Sequence, residues 1–194
     1  MSTTKHTTTP EPAQAGPGPR ILALDLSLTG TGYATNDAVG VIRTEPRRDL
    51  ERLAYIRERV LELLLAQEPH VVAIEAPSYG SSKAGSSRGF HERGGLHYAI
   101  LLAFHDGGVP VALIPPTNRA KYATGKGNAG KAAVVSAATY RAQRIFDDDN
   151  KADAWWLWQM AKAHYDPENA LKLPKANMDG LAGCEWPDLT RRPT

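Results

Sequence analysis

The chain has 194 residues, of which 42% are hydrophobic and 23% charged, and a formal net charge of +2. This is the make-up of one globular domain able to bury a core, and the net charge alone announces no polyanionic partner. No apolar run approaches the roughly 18 residues that span a bilayer, the N-terminus lacks the apolar core of a secretory signal, and Cys184 is the single cysteine, which excludes an internal disulfide framework and a thiolate metal cluster. A soluble protein of a reducing, cytoplasmic compartment is expected, with no membrane partner.

Residues 1–19 are rich in Thr, Pro, Ala and Gly. They hold too little apolar surface to offset their ordering entropy and read as a disordered tail. Three strands follow. The first is the apolar run that begins at Ile21 and contains Asp25. The small residues Thr29-Gly30-Thr31-Gly32 form a turn after it. Tyr33 to Asn36 and Val39 to Arg43 are the next two strands, joined by Asp37-Ala38. Asp49 to Gln67 carries Leu50, Leu53, Ile56, Val60, Leu63 and Leu64 at helical spacing, and Pro69 stops it.

Val71 to Ala76 is a fourth apolar strand, and it too contains one acid, Glu75. Pro77 to Glu92 is Ser- and Gly-rich and reads as a long loop, with Lys83, Arg88 and Arg93 in or beside it. Gly94 to His105 reads as a helix and Val109 to Ile114 as a fifth strand, closed by Pro115-Pro116. From Thr117 to Ile145 there are six cations, Arg119, Lys121, Lys126, Lys131, Arg141 and Arg144, and no acid. Gly125, Gly127 and Gly130 mark the first half as loop, and a helix is expected over Lys131 to Arg144. A cationic stretch free of acids favours a surface that tracks phosphates. Asp153 to His164 is the last helix. Its Trp155 and Trp158 share a face by spacing, so core packing is their default reading. Beyond Tyr165 the pattern dissolves, which divides the chain into a domain over 20–165 and an irregular C-terminal tail over 166–194.

Asp25 and Glu75 are charges inside apolar strands, which is expensive unless they are paired or hold a metal. Asp153 opens a helix far downstream. Three carboxylates gathered from distant parts of a chain are what a hard divalent cation requires; oxygen donors suit Mg²⁺ or Mn²⁺, whereas zinc favours His or Cys. Phosphodiester hydrolysis needs an activated water, a stabilised leaving group and neutralised phosphate charge, and two cations about 4 Å apart supply all three. In that reading Asp25, on a central strand, bridges the ions, Glu75 and Asp153 hold one each, and Lys131, near a helix start, stabilises developing charge.

Four pieces in order resemble the RNase H-like nuclease superfamily, and within it the RuvC-type Holliday junction resolvases of phages and bacteria. They are Leu24-Asp25-Leu26-Ser27-Leu28-Thr29-Gly30-Thr31-Gly32, then Ile74-Glu75-Ala76, then Lys121 with Thr124-Gly125-Lys126-Gly127-Asn128-Ala129-Gly130-Lys131, then Asn150-Lys151-Ala152-Asp153-Ala154. The resemblance implies an α/β fold with a mixed five-stranded sheet, a three-stranded antiparallel start and then parallel strands, flanked by helices. It implies a dimeric endonuclease dependent on Mg²⁺ or Mn²⁺, with two ions per site, that nicks four-way DNA junctions symmetrically. Asp25, Glu75 and Asp153 match the family's metal-binding acids, and Lys121 and Lys131 its basic residues beside them. The family's fourth acid lies three residues before the last one; here that position is Asn150, so either the adjacent Asp149 substitutes or Asn150 binds through its carbonyl oxygen. Lys83, Arg88, Arg93, Arg119, Lys121, Lys126 and Lys131 are candidate DNA contacts. Tyr79 lies near, but out of register with, the aromatic that wedges into the junction.

Other readings stay open at this point. The same fold serves nucleases of RNA–DNA hybrids or flaps, although the hybrid nucleases lack a Lys-rich loop and helix before the last helix. Thr29-Gly30-Thr31-Gly32 resembles the phosphate loop of actin-like sugar kinases, but that fold needs a longer chain. Asn150 leaves room for a relative that binds branched DNA without cutting it. The apolar helix from Gly94 to His105 is a candidate dimer interface.

Overall fold

The computed structural model describes residues 18–77 and 87–190. Its elements in chain order are β1 (Ile21–Asp25), β2 (Gly30–Ala34), β3 (Val39–Arg43), α1 (Asp49–Gln67), β4 (Val71–Glu75), α2 (Ser87–Asp106), β5 (Val111–Ile114), α3 (Pro116–Thr124), α4 (Lys131–Ala142), α5 (Asp149–Tyr165) and α6 (Lys175–Met178), followed by a 3₁₀ turn over Asp179–Leu181. The strands form one five-stranded sheet in the order β3-β2-β1-β4-β5. β1, β2 and β3 are antiparallel, while β4 runs parallel to β1 and β5 parallel to β4. This is the mixed sheet expected from the sequence.

Strand side chains alternate between faces, and here the two faces differ in size. Leu22, Leu24, Val72 and Ile74 meet Ile56 and Val60 of α1 and Leu96, Ile100 and Phe104 of α2. Ile21, Ala23, Val71, Ala73, Ala34 and Ala112 face α5. The many alanines let α5 lie close across β1 and β2. On its outer side α5 is covered by α3 and α4, so Trp155 and Trp156 are buried, and Trp156 donates its indole N–H to the Val134 carbonyl at 3.1 Å. Core packing is thus what these tryptophans do.

Three local expectations shift. β2 begins at Gly30 rather than Tyr33, because Gly30 and Gly32 are strand residues lying beneath the start of α5. α2 begins at Ser87, inside the stretch read as loop. Residues 116–124, also read as loop, are helix α3. Pro116 stands at its first position, where a missing N–H does no harm, and Gly125 ends it in the left-handed conformation at φ 80°, with its N–H donating to the Lys121 carbonyl at 2.7 Å.

The chain beyond Tyr165 packs back on the domain. Glu185 and Leu113 exchange backbone hydrogen bonds of 3.0 and 3.1 Å, which covers the open edge of β5. The Trp186 indole stacks on His164 at 4.5 Å between ring centres. Asn177 donates to the Tyr122 carbonyl at 2.8 Å and Asn118 to the Gly180 carbonyl at 3.0 Å, so this segment clasps α3 from outside. Its signals are single residues rather than a periodic pattern, which is why the sequence shows only an irregular stretch.

Candidate active site

Alternation decides where the first two acids point. Asp25 follows Ile21 and Ala23, and Glu75 follows Val71 and Ala73, so both carboxylates project from the α5 face at the ends of β1 and β4. The parallel register pairs Leu24 with Ile74, and its continuation sets Asp25 beside Glu75. α5 brings Asp153 over them.

The close docking of α5 depends on Gly32, the register partner of Asp25. A Cβ there would stand 2.0 Å from the Asn150 carbonyl oxygen. Only a residue without a side chain lets the helix start this near the sheet. Asp148 caps the helix by accepting the Asn150 N–H at 2.8 Å, and Arg43 of β3 pairs with Asp148. The first turn of α5 is therefore held to the sheet by backbone contact, a cap and an ion pair.

Asn150 has its side chain in that cap, where its Nδ2 donates to Asp148 at 2.9 Å. Asp149 lies four residues before Asp153, on the same helix face. It accepts from the Lys131 ammonium at 2.5 Å. Lys131 opens α4 and is largely exposed. Arg119 of α3 has a more central place. Its Nε donates to Glu75 and its Nη1 to Asp153, and its side chain is only 11% exposed.

The electrostatics describe a cluster short of positive charge. Burial, then the neighbouring Glu75 and Asp153, push Asp25 up to about 7. Burial raises Asp153 to about 6, against the pull of Arg119 and with Glu75 adding to the rise. The hydrogen bond from Lys131 draws Asp149 below the usual carboxylate range. Burial works against the charge on Arg119, but Glu75 and Asp153 outweigh it and its pKa moves up. Even with Arg119 and Lys131 beside them, two of the carboxyls keep raised pKa values, so further cationic charge is favoured here.

As a donor set, the carboxylates of Asp25, Glu75, Asp153 and Asp149 suit a hard divalent cation. In the present side-chain arrangement, no group of three such residues among the described ones is set to hold an ion. The guanidinium of Arg119 links Glu75 and Asp153, donating to one oxygen of each.

Of the other expected site residues, Lys121 is half-buried on α3, and its charge is not among those that dominate at Asp25 or Asp153. Residues two apart on a helix face different ways, so Arg119 and Lys121 do not both enter one cluster. Arg119, read from sequence as a phosphate contact, is the residue that reaches the acids. Lys126 and Arg93 are exposed. Tyr79 and Lys83 lie outside the described residues, as does the side chain of Arg88.

No family model matches the chain. Curated relatives do. The crossover junction endodeoxyribonuclease RuvC of Paenarthrobacter aurescens strain TC1 is 31% identical over 156 residues, covering 75% of this chain and 80% of that protein. The protein of the same name from Pseudarthrobacter chlorophenolicus is 31% identical over 156 residues, with 75% and 79% covered. That of Rhodococcus opacus strain B4 is 30% identical over 156 residues, with 75% and 80% covered. Among solved structures, Thermus thermophilus RuvC superposes with a TM-score of 0.59 at 23% identity, over 79% of this chain and 99% of that one. A second structure, of the same protein in complex with a Holliday junction substrate, also gives 0.59 at 23% identity, over 72% of this chain and 90% of that one. These structures show a shared fold, and the sequence identities go further: the chain belongs to the RuvC family of crossover junction endodeoxyribonucleases.

Proposed function

We propose that this chain is a metal-dependent endonuclease that resolves four-way DNA junctions by paired nicks, with Asp25, Glu75 and Asp153 as its metal-binding acids. The observation that carries the reading is the meeting of these three carboxylates, from β1, β4 and α5, on one face of the sheet. Family membership supplies the reaction class. A bound divalent ion, Mg²⁺ or Mn²⁺, supplies Lewis acidity and an activated water.

The chain's own residues do the rest. Asp25 lies at the end of the central strand β1, with Glu75 on the neighbouring β4 and Asp153 on α5 near it, and would contribute its carboxylate to a metal held there. Asp149 is the fourth acid: it shares the helix face of Asp153, whereas the Asn150 side chain is engaged in the cap. Lys131 is exposed at the start of α4 beside the acids, in place to meet the phosphate and stabilise charge as it develops. Asp149→Asn lowers cleavage at limiting metal by about tenfold or more, while Asn150→Ala, which loses only cap contacts, changes it far less. Cleavage titrated with metal for both variants checks the assignment.

Lys126, Arg93 and Lys121, together with Lys83 and Arg88, are the proposed path of the DNA backbone. Two strands are cut at symmetric positions, so two copies of the site are required, and two-fold pairing is the simplest way to supply them. The α2 helix offers a surface for it. Phe90, Tyr98 and Leu102 are 63%, 62% and 59% exposed, and nothing lies within 4 Å of a Cβ built on Gly94 between them. Such a smooth apolar stripe suits a second copy of the same helix. If α2 pairs two copies, Leu102→Glu is expected to give a monomer in light scattering with the circular dichroism spectrum unchanged. No helix among the described residues is long and apolar enough to cross a membrane. Because its curated relatives are bacterial nucleases of DNA junctions by name, we place the protein in the cytoplasm of a bacterial cell or a phage-infected host.

The functional test compares a labelled four-way junction, a linear duplex and an RNA–DNA hybrid, each with Mg²⁺, Mn²⁺ or EDTA. Paired nicks on the junction alone, absent in EDTA, are expected. Cleavage of the hybrid in preference to the junction moves the activity to another branch of the fold. Junction binding without cutting in either metal contradicts the catalytic reading.

A further inference from the structure

Arg119 is nearly buried, and its guanidinium donates at once to Glu75 on β4 and Asp153 on α5. A flexible surface cation would not be held this way. Arg119 rides on α3, which is closed by the Gly125 N–H bond to the Lys121 carbonyl and clasped by the C-terminal segment. Asn118, the residue before it, donates to the Gly180 and Ala182 carbonyls at 3.0 and 2.5 Å. On the next turn the Tyr122 carbonyl accepts from Asn177. The fork of five N–H groups that matches carboxylate geometry is thus delivered by a rigid mount to two acids from different elements.

We propose that Arg119 is a built-in counter-cation of the acid cluster, which holds Glu75 and Asp153 together in the metal-free protein and must be displaced from between them when a divalent ion binds. The inference rests on the reading of these acids as metal ligands. Without Arg119, three carboxylates would face one another at the sheet end with only the more distant Lys131 to offset them. With it, the cluster is held together, but its donor oxygens are turned to the guanidinium, and no three acids among the described residues are arranged for an ion. The same contact therefore steadies the folded chain and competes with the metal. Arg119 acts here as a positioning residue whose influence is exerted through the acids.

The competition predicts opposite effects of one substitution on two quantities. Arg119→Gln removes the charge and the fork. Its Mn²⁺ affinity at pH 8, read by the loss of free Mn²⁺ signal in electron paramagnetic resonance, rises at least about tenfold over wild type. Its melting temperature in EDTA falls by several degrees, and most of that loss is recovered at saturating Mn²⁺. Arg119→Lys keeps one charge without the fork, so it folds under conditions where Arg119→Gln is marginal, and its Mn²⁺ affinity lies between the two. Equal or weaker Mn²⁺ binding by both variants, with wild type binding normally, overturns the displacement alone. Absence of Mn²⁺ binding by wild type and variants alike overturns both this inference and the metal reading beneath it.

Discussion

Asp25→Asn is expected to abolish junction cleavage, with a loss of about a thousandfold or more, and at the same time to stabilise the metal-free protein at pH 8. The first effect follows from the proposed role of Asp25 as a metal ligand at the end of the central strand, beside Glu75 of β4 and Asp153 of α5. The second follows from its raised pKa. The Asp25 carboxyl titrates near 3.8 when free and near 7 in the fold. Between these values the folded chain keeps a proton that the unfolded chain has released. Its contribution to stability is therefore complete below about pH 4 and is lost as the pH rises through about 7. Asp153 adds the same trend up to about pH 6. A shift of roughly three pH units corresponds to about 2 to 4 kcal/mol at a partly exposed strand end. Urea unfolding in EDTA is thus expected to show wild type losing stability from pH 5 to pH 8, and Asp25→Asn losing much less. A variant that is inactive yet more stable separates loss of chemistry from loss of fold.

Gly32→Ala is expected to destabilise the chain by about 3 kcal/mol and to reduce cleavage even in the fraction that folds. The added Cβ would meet the Asn150 carbonyl oxygen at 2.0 Å and its carbon at 2.6 Å. These are backbone atoms and cannot turn aside as a side chain can. Relief comes only by lifting the start of α5 from β2, and the first two turns of that helix carry Asp149 and Asp153. Gly30→Ala is the control. Its Cβ would first meet the end of the Asn150 side chain at 3.3 Å, which yields easily, so a loss below about 1 kcal/mol is expected. Chemical denaturation of the two variants side by side measures the difference.

The strands and the two strand acids were legible because a period of two states which face each residue takes. Asp25 shares parity with Ile21 and Ala23, and Glu75 with Val71 and Ala73, so their meeting on the α5 side needs only the order of the strands. α5 was legible from its apolar composition, although it starts four residues before Asp153, at a cap made by Asp148. α3 was hidden by its cations and by the glycines that follow it, yet Pro116 and Gly125 are start and stop signals that mark it in hindsight. The role of Arg119 was not legible. Its partners lie 44 and 34 residues away in the chain. A local pattern can show that a cation stands among cations, but not that a helix turns it inward onto two acids. That Asn150 has its side chain in the Asp148 cap while Asp149 meets Lys131 was equally closed to sequence, since both contacts depend on how the start of α5 is docked. Gly32 looked like a turn residue because its need is tertiary: the closeness of another backbone, not its own φ.

The decisive measurement is Mn²⁺ binding by wild type, Asp25→Asn, Glu75→Gln and Asp153→Asn, taken alongside nicking of a four-way junction by the same samples. If these three acids form one metal-binding catalytic site, each substitution weakens Mn²⁺ binding by about tenfold or more and removes the nicks, while circular dichroism stays unchanged. Wild-type Mn²⁺ affinity and wild-type nicking in Asp25→Asn would contradict it, and would move the metal and the chemistry away from the end of the sheet.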